Sequence, residues 1–446
     1  MRAIQYLGSK LNVKNEIAMI IKNISISNNI IVDAFAGTGV IGNELKFDYK
    51  IISNDIQKYS NLINKILLSS TINKTIMEVS IKNDILENES YKKNISYLSN
   101  IFKEQLEKER EIIKNNNFEL LAEFISSQLF YDGTNYIKGI NLEFDKVYEN
   151  VLKFFNIKNI EQIKKNREYY MLFSLYYLNG YFSLFQCNVI DSVRYAIDKI
   201  DNEEKKQYLL FLLLHAISEV TCSVGKQFAQ PLKLKDKNLK IKELSAKRCI
   251  RDWKLDIIEK MENMHEKFSK EIKVGLYINE VYNLEIDSLL FMLKEKKGLI
   301  YYLDPPYTIE HYSRFYHVLE VLVDYNYPKL EKRIIKGREQ LLNGRYPINR
   351  FQSPLSIISK AKEQFERMFK SISESESKLV LSYSDAENEG RSRVVTRNDL
   401  IKLLEKYFKK VEIYEIEHNY KKLNKDELNI AEKSTRELIF IGENNG

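Results

Sequence analysis

A short apolar run, Asn29-Ile30-Ile31-Val32, ends in Asp33-Ala34-Phe35-Ala36-Gly37-Thr38-Gly39, and a helical pattern begins at Val40. Two glycines this close let the backbone approach a ligand or adopt positive φ, so the segment reads as a tight turn from strand to helix. A second strand signal covers 49–53 and closes on Asn54-Asp55, before a helix carrying Leu62, Ile63, Ile66 and Leu67. Strand, glycine turn, helix, strand and acid make a βαβ unit, which places the chain in the α/β class. An acid where Asp55 stands can accept both ribose hydroxyls of a nucleoside ligand. Gly37, Gly39 and Gly42 also fit the spacing G-x-G-x-x-G, so a nicotinamide dinucleotide and an ordinary glycine turn both stay open.

Beyond about residue 90 the texture changes. Charged helical patterns dominate, as at 103–114 and 203–219, with an aromatic-rich segment between them (Tyr169, Tyr170, Phe173, Tyr176, Tyr177, Phe182) read as a helix. Strand signals return at 274–278 and 298–303, and again at 378–382, 411–417 and 437–441, with helices over 288–293 and 315–325. The expected organisation is therefore an α/β sheet in two parts, 1–90 and 274–446, interrupted by a mainly helical insertion over 91–273.

Composition bounds the remaining possibilities. The 446 residues suffice for one large domain with an insertion, or for two to three smaller ones. Apolar residues at 44 % and charged residues at 29 % describe a globular chain with a sizeable core. Cys187, Cys222 and Cys249 are too few and too irregularly spaced for a disulfide scaffold, and neither they nor the five histidines make a metal spacing. The N-terminus lacks the apolar segment of a signal peptide. The longest apolar run, 208–214, falls far short of the roughly 20 residues that span a bilayer. A reducing, cytoplasmic setting is expected. The formal charge of +7 is mild and permits a polyanionic partner without requiring one.

Asp304-Pro305-Pro306-Tyr307 is more specific. It follows Leu299-Ile300-Tyr301-Tyr302-Leu303, at the C-terminal end of a strand, where open α/β sheets bind ligands. The two prolines stiffen the loop and bring no N–H donors. An acid, a rigid carbonyl and an aromatic face can grip a planar amine. If Asp304 and the Pro305 carbonyl accept the two N–H bonds of adenine N6, the nitrogen lone pair turns out of the ring plane, toward an electrophile. Tyr307 could stack on the base, worth about 1–3 kcal/mol. The plainer alternative is a Pro-Pro turn with a capping aspartate.

Together, the Asp-x-Phe-x-Gly-x-Gly segment and the late Asp-Pro-Pro-Tyr resemble S-adenosylmethionine-dependent DNA adenine N6-methyltransferases of the Dam-like type. Tyr6-Leu7-Gly8-Ser9-Lys10 resembles that family's aromatic-x-Gly-x-Lys segment. The likeness covers about 1–90 and 274–446 and implies a Rossmann-like class I methyltransferase sheet. It further implies that Asp33, Phe35, Gly37 and Gly39 border the methionine part of S-adenosylmethionine. Asp55 would bind the ribose, Ile56 would lie against the adenine ring, and Tyr6 and Lys10 would close over the cofactor. Asp304, Pro305, Pro306 and Tyr307 would hold the target adenine, with S-adenosylhomocysteine as product and no metal. Lys10 as a solvated lysine and Asp55 as a helix cap are the plainer alternatives. For the third-strand contact two candidates exist, Asn83-Asp84 and Asn279-Glu280. Glu280 is preferred because its strand leads directly to Asp304.

Two windows concentrate positive charge: nine basic residues against three acids over 233–254, and seven against two over 329–350. They supply Lys247, Arg248, Arg251, Arg338 and Arg345 as candidate phosphate contacts, and Arg391, Arg393 and Arg397 form a smaller cluster. Solvated helix faces are the plainer explanation. Tyr312 is the candidate to fill the gap left by a displaced base, with Arg314 beside it, unless it simply packs in a helix. The expected function is site-specific methylation of adenine N6 in double-stranded DNA, with a cognate restriction endonuclease as a candidate partner and no membrane. Methylation of RNA adenine or protein glutamine, a catalytically silent DNA-binding protein, and a nicotinamide-dependent oxidoreductase are the competing readings.

Overall fold

The computed structural model describes residues 4, 10–26, 29–126, 168–306, 309, 312–335, 338–385, 394–420 and 433–444. The strands are β1 (Ile30–Asp33), β2 (Lys50–Asn54), β3 (Glu280–Tyr282), β4 (Ile300–Leu303), β5 (Lys332–Ile335), β6 (Arg338–Leu341), β7 (Lys378–Asp385), β8 (Lys410–Tyr420) and β9 (Lys433–Glu443). Seven of them form one sheet in the order β3-β2-β1-β4-β7-β9-β8. The first five in that order run parallel, and β9 is antiparallel to both β7 and β8.

The chain divides into two compact units. The sheet unit comprises Tyr6–Asn73, Ile272–Tyr312 and Phe351–Gly446. Its central strands are buried on both faces, as parallel strands covered by helices must be. Alternation along each strand feeds two separate cores. Val32, Tyr301 and Leu303 face one, packed by helices Ile286–Leu293, Ile358–Glu374 and Arg397–Tyr407. Ile31, Ile300 and Tyr302 face the other, packed by Lys14–Ile24 and Val40–Leu45. This is the Rossmann-like α/β architecture the motifs implied.

The helical unit comprises Lys74–Glu271 with Ser313–Arg350 and the first five residues. It is therefore larger than an insertion over 91–273, because it begins at 74 and takes in a second stretch after the Asp-Pro-Pro-Tyr motif. Helix Glu203–Val220 buries every residue of 208–214, so that apolar run is core of this unit. No helix among the described residues is long and apolar enough to cross a membrane.

Two expected elements differ. The aromatic segment 169–182 is not one helix: only Leu172–Tyr176 is helical, and Asn179 turns the chain at φ 55°. Buried Asp191 fixes where that helix starts, accepting the N–H groups of Phe173 (2.8 Å) and Ser174 (2.9 Å) as well as the Tyr325 hydroxyl. The strand expected over 274–278 forms instead at Glu280–Tyr282. Asn279 sets that start, accepting the Ile51 N–H at 2.8 Å and donating to the Leu68 carbonyl at 3.1 Å. Leu276 and Ile278 before it stay exposed.

Candidate active site

The parallel strands point the same way, so the residues at their C-terminal ends gather at one edge of the sheet. Asp33 ends β1, Asp55 follows β2, and Asp304 follows β4, which is paired directly with β1. Two motifs nearly 270 residues apart in sequence thereby become neighbours.

The glycine turn is tied from every side. Gly37 and Gly39 have φ of 51° and 71°. A Cβ on Gly39 would meet Asn64 Oδ1 at 2.6 Å, so both shape and space require glycine there. Asp55 Oδ2 accepts the Gly37 N–H and Oδ1 accepts the Gln57 N–H, each at 2.8 Å. The Gly37 carbonyl accepts from the Ser60 hydroxyl and, at 3.2 Å, from Asn64 Nδ2. Asp55 thus shapes the turn and fixes the chain entering the following helix, Lys58–Leu68. Burial raises its carboxyl above the usual range. Phe35 and Ile56 flank the turn, both half-buried.

Asp33 is 1 % exposed. Its Oδ2 accepts the Gly42 N–H at 3.2 Å, whereas Oδ1 is buried without a hydrogen-bond partner. Burial, with the charges of Asp304 and Asp55, pushes its carboxyl up to about 7. An orphaned buried carboxylate oxygen fits a cationic donor such as the ammonium of an amino-acid moiety. Asp33, Asp55 and the Gly37–Gly39 turn together fit a nucleoside that carries a free amino-acid group, as S-adenosylmethionine does.

Lys10 is 5 % exposed, from the 3-10 turn Lys10–Asn12. It does not stand as a solvated lysine. Its Nζ lies 2.8 Å from Asp304 Oδ1 and 3.2 Å from Glu437 Oε1. Burial raises the Asp304 carboxyl, the Glu437 charge raises it further, and the Lys10 ammonium opposes both. Pro305 is buried and Pro306 half-buried, which fixes the loop behind Asp304. Tyr6 and Tyr307 lie outside the described residues.

Glu280 is corrected by its position. It begins β3, opposite Ile52, and binds Lys50 Nζ at 2.6 Å and the Tyr282 hydroxyl at 2.6 Å. That is the strand end away from the ligand edge. The residues at the right end belong to no motif. Asn283 Nδ2 donates to the Asp55 carbonyl at 2.7 Å, and Asn54 bridges Ala34 to Leu284 through its side chain. Asn54 carries a signal, since it adjoins Asp55. Asn283 and Glu437 carry none beyond lying in or next to strands.

Both basic windows belong to the helical unit. Arg345 is corrected as a phosphate contact: it is 6 % exposed and donates to the carbonyls of Tyr176 and, at 2.9 Å, Leu178. Arg248 and Arg251 both lean on buried Asp252, at 3.7 and 3.1 Å, which Lys226 also approaches at 3.1 Å. Lys247 is 60 % exposed and pairs loosely with Glu243. Arg314 stacks over Tyr346 at 5.0 Å. Arg338 lies on β6, and Tyr312 starts the helix Tyr312–Asp324, half-buried. Arg397 binds Glu415, while Arg391 and Arg393 lie outside the described residues.

The chain is 25 % identical over 327 residues to the type II methyltransferase M.FokI of Planomicrobium okeanokoites, covering 73 % of this chain and 38 % of that one. It is 26 % identical over 385 residues to the modification methylase LlaI of Lactococcus lactis subsp. lactis, covering 85 % and 46 %. A 64-residue stretch is 39 % identical to the type II methyltransferase M.NlaIII of Neisseria lactamica, covering 14 % of this chain and 19 % of that one. The chain thus spans less than half the length of the first two relatives. Residues 6–192, which hold the whole glycine turn and Asp55, match the family of D12 class N6 adenine-specific DNA methyltransferases, in agreement with the resemblance its motifs carry.

Proposed function

We propose that this protein methylates N6 of adenine in double-stranded DNA, at a defined sequence, with S-adenosylmethionine as methyl donor. The observation that carries the reading is Asp304. It is a carboxylate on a Pro-Pro loop, held by a buried lysine, at the end of the strand paired with the one that carries Asp33 and the glycine turn. An amine acceptor and a nucleoside-type cradle therefore sit side by side at the ligand edge of one sheet.

The bound donor supplies an electrophilic methyl group on a positively charged sulfur. Among the described residues, the carboxylates of Asp33, Asp55 and Asp304 gather at this edge. Such a site favours a cationic donor over its neutral product. Adenine inside a duplex cannot reach Asp304, so the base must turn out of the helix. Asp304 and the Pro305 carbonyl then accept the two N6 hydrogens and aim the nitrogen lone pair, so that the rate comes from positioning and electrostatics. Tyr307 is the proposed stacking face. Lys247 and Arg314 are proposed DNA contacts, and a restriction endonuclease of matching specificity is a proposed partner.

The test is expression in a host free of DNA methylation, followed by modification-sensitive sequencing of host DNA. The expected result is N6-methyladenine at one recurring sequence context. Unmodified adenine throughout, with the protein folded and expressed, would remove the proposal.

A further inference from the structure

We propose that Glu437 is a positioning residue for methyl transfer, acting on Asp304 through Lys10; this rests on the adenine-methyltransferase reading above. Glu437 lies on β9 and is fully buried. A carboxylate seldom enters a sheet interior, because its desolvation is costly unless it is paired. Here the Ser382 hydroxyl of β7 donates to its Oε1, and the Lys10 ammonium lies 3.2 Å from the same oxygen. Lys10 reaches Asp304 Oδ1 at 2.8 Å. A chain of polar contacts thus runs from β7 through β9 and the N-terminal turn to the residue after β4.

Two consequences follow for Asp304. The ammonium holds Oδ1, which fixes the carboxylate's rotation and leaves Oδ2 to receive the base. The ammonium is also shared between two acids. It therefore neutralises Asp304 only in part, and a partly neutralised carboxylate is a stronger acceptor for an amine N–H than a fully neutralised one. A purely structural site would be filled at lower cost by an apolar side chain.

The charged and titratable groups facing Asp304 are Lys10, Glu437 from β9, Asp33 from β1 and Tyr302 from β4. Glu437 raises the Asp304 carboxyl. Glu437→Gln removes that charge and keeps an oxygen for Ser382 and Lys10. Asp304 should then titrate lower, and the acid limb of the kcat profile should move to lower pH.

The experiment uses the full chain, radiolabelled S-adenosylmethionine and DNA from a methylation-free host. Transfer is measured from pH 5 to 8, with donor Kd and Tm measured separately. Glu437→Gln is expected to keep Tm and donor Kd while kcat falls about tenfold. Its acid limb should shift down by about one pH unit. Glu437→Ala should lose more kcat, because Lys10 loses an anchor, and Glu437→Asp should recover part. A folded Glu437→Gln with wild-type kcat and an unmoved limb would overturn the proposal, as would a loss that follows Tm alone. If neither Gln nor Ala folds, Glu437→Asp decides: a lowered kcat with a moved acid limb supports the proposal, and wild-type kcat with an unmoved limb overturns it. Wild-type protein that transfers no methyl to any DNA overturns both this and the functional reading. Wild-type transfer with an unmoved limb overturns this alone.

Discussion

Asp33→Asn separates what the site needs for folding from what it needs for binding. Asp33 is buried at 1 % exposure, and its carboxyl is pushed up to about 7 from an ordinary value of 3.8. A raised acid binds its proton more tightly folded than unfolded, so its contribution to stability is present at low pH and is lost as pH rises from about 4 to about 7. Each tenfold difference in proton affinity between the folded and unfolded chain is worth about 1.4 kcal/mol. Between pH 5 and pH 8 the wild-type chain therefore loses up to about 3 kcal/mol that the asparagine variant does not. The variant keeps an oxygen for the Gly42 N–H, which Asp33 Oδ2 accepts. At roughly 2–4 °C per kcal/mol for a unit of this size, its Tm advantage should grow by about 6–12 °C between the two pH values. Thermal unfolding followed by circular dichroism, without added donor, reads this directly. S-adenosylmethionine affinity should fall at least about tenfold in the same variant, because the orphaned Oδ1 loses its charge. A Tm difference that is the same at pH 5 and pH 8 would refute the reasoning, and so would a variant less stable at pH 8.

Three further outcomes test other parts of the site. Gly39→Ala places a methyl 2.6 Å from Asn64 Oδ1 at positive φ, so it should cost about 1–3 kcal/mol in urea unfolding and weaken donor binding measured by calorimetry. Arg345→Met leaves the Tyr176 and Leu178 carbonyls without their donor, and should cost about 2–4 kcal/mol while leaving the salt dependence of DNA binding unchanged. Lys247→Glu, at an exposed position, should leave Tm unchanged, weaken binding to duplex DNA and flatten its salt dependence by about one to two contacts in a fluorescence titration.

The sheet was legible in the sequence because parallel strands buried on both faces read as plain apolar runs. Ile30-Ile31-Val32 and Leu299 to Leu303 could be little else. Glycine turn and acid were legible for the same local reason. What escaped was decided by distant partners. The true start of β3 depends on Asn279 reaching Ile51 and Leu68. The start of the short helix in the aromatic segment depends on Asp191. Lys10 could not be told from a solvated lysine until Asp304 and Glu437 came beside it. Arginine counts misled at Arg345, since a window sum cannot distinguish a guanidinium bound to buried carbonyls from one that faces solvent.

The central claim is that Asp304 presents an adenine amine to a bound methyl donor. Purified protein, radiolabelled S-adenosylmethionine and methylation-free DNA, digested to nucleosides and resolved by mass, test it most directly. Label in N6-methyldeoxyadenosine with the wild-type chain, and none with an Asp304→Ala variant that still binds the donor, is the result predicted. Label in N4-methylcytosine, or undiminished label in N6-methyldeoxyadenosine with Asp304→Ala, would contradict it.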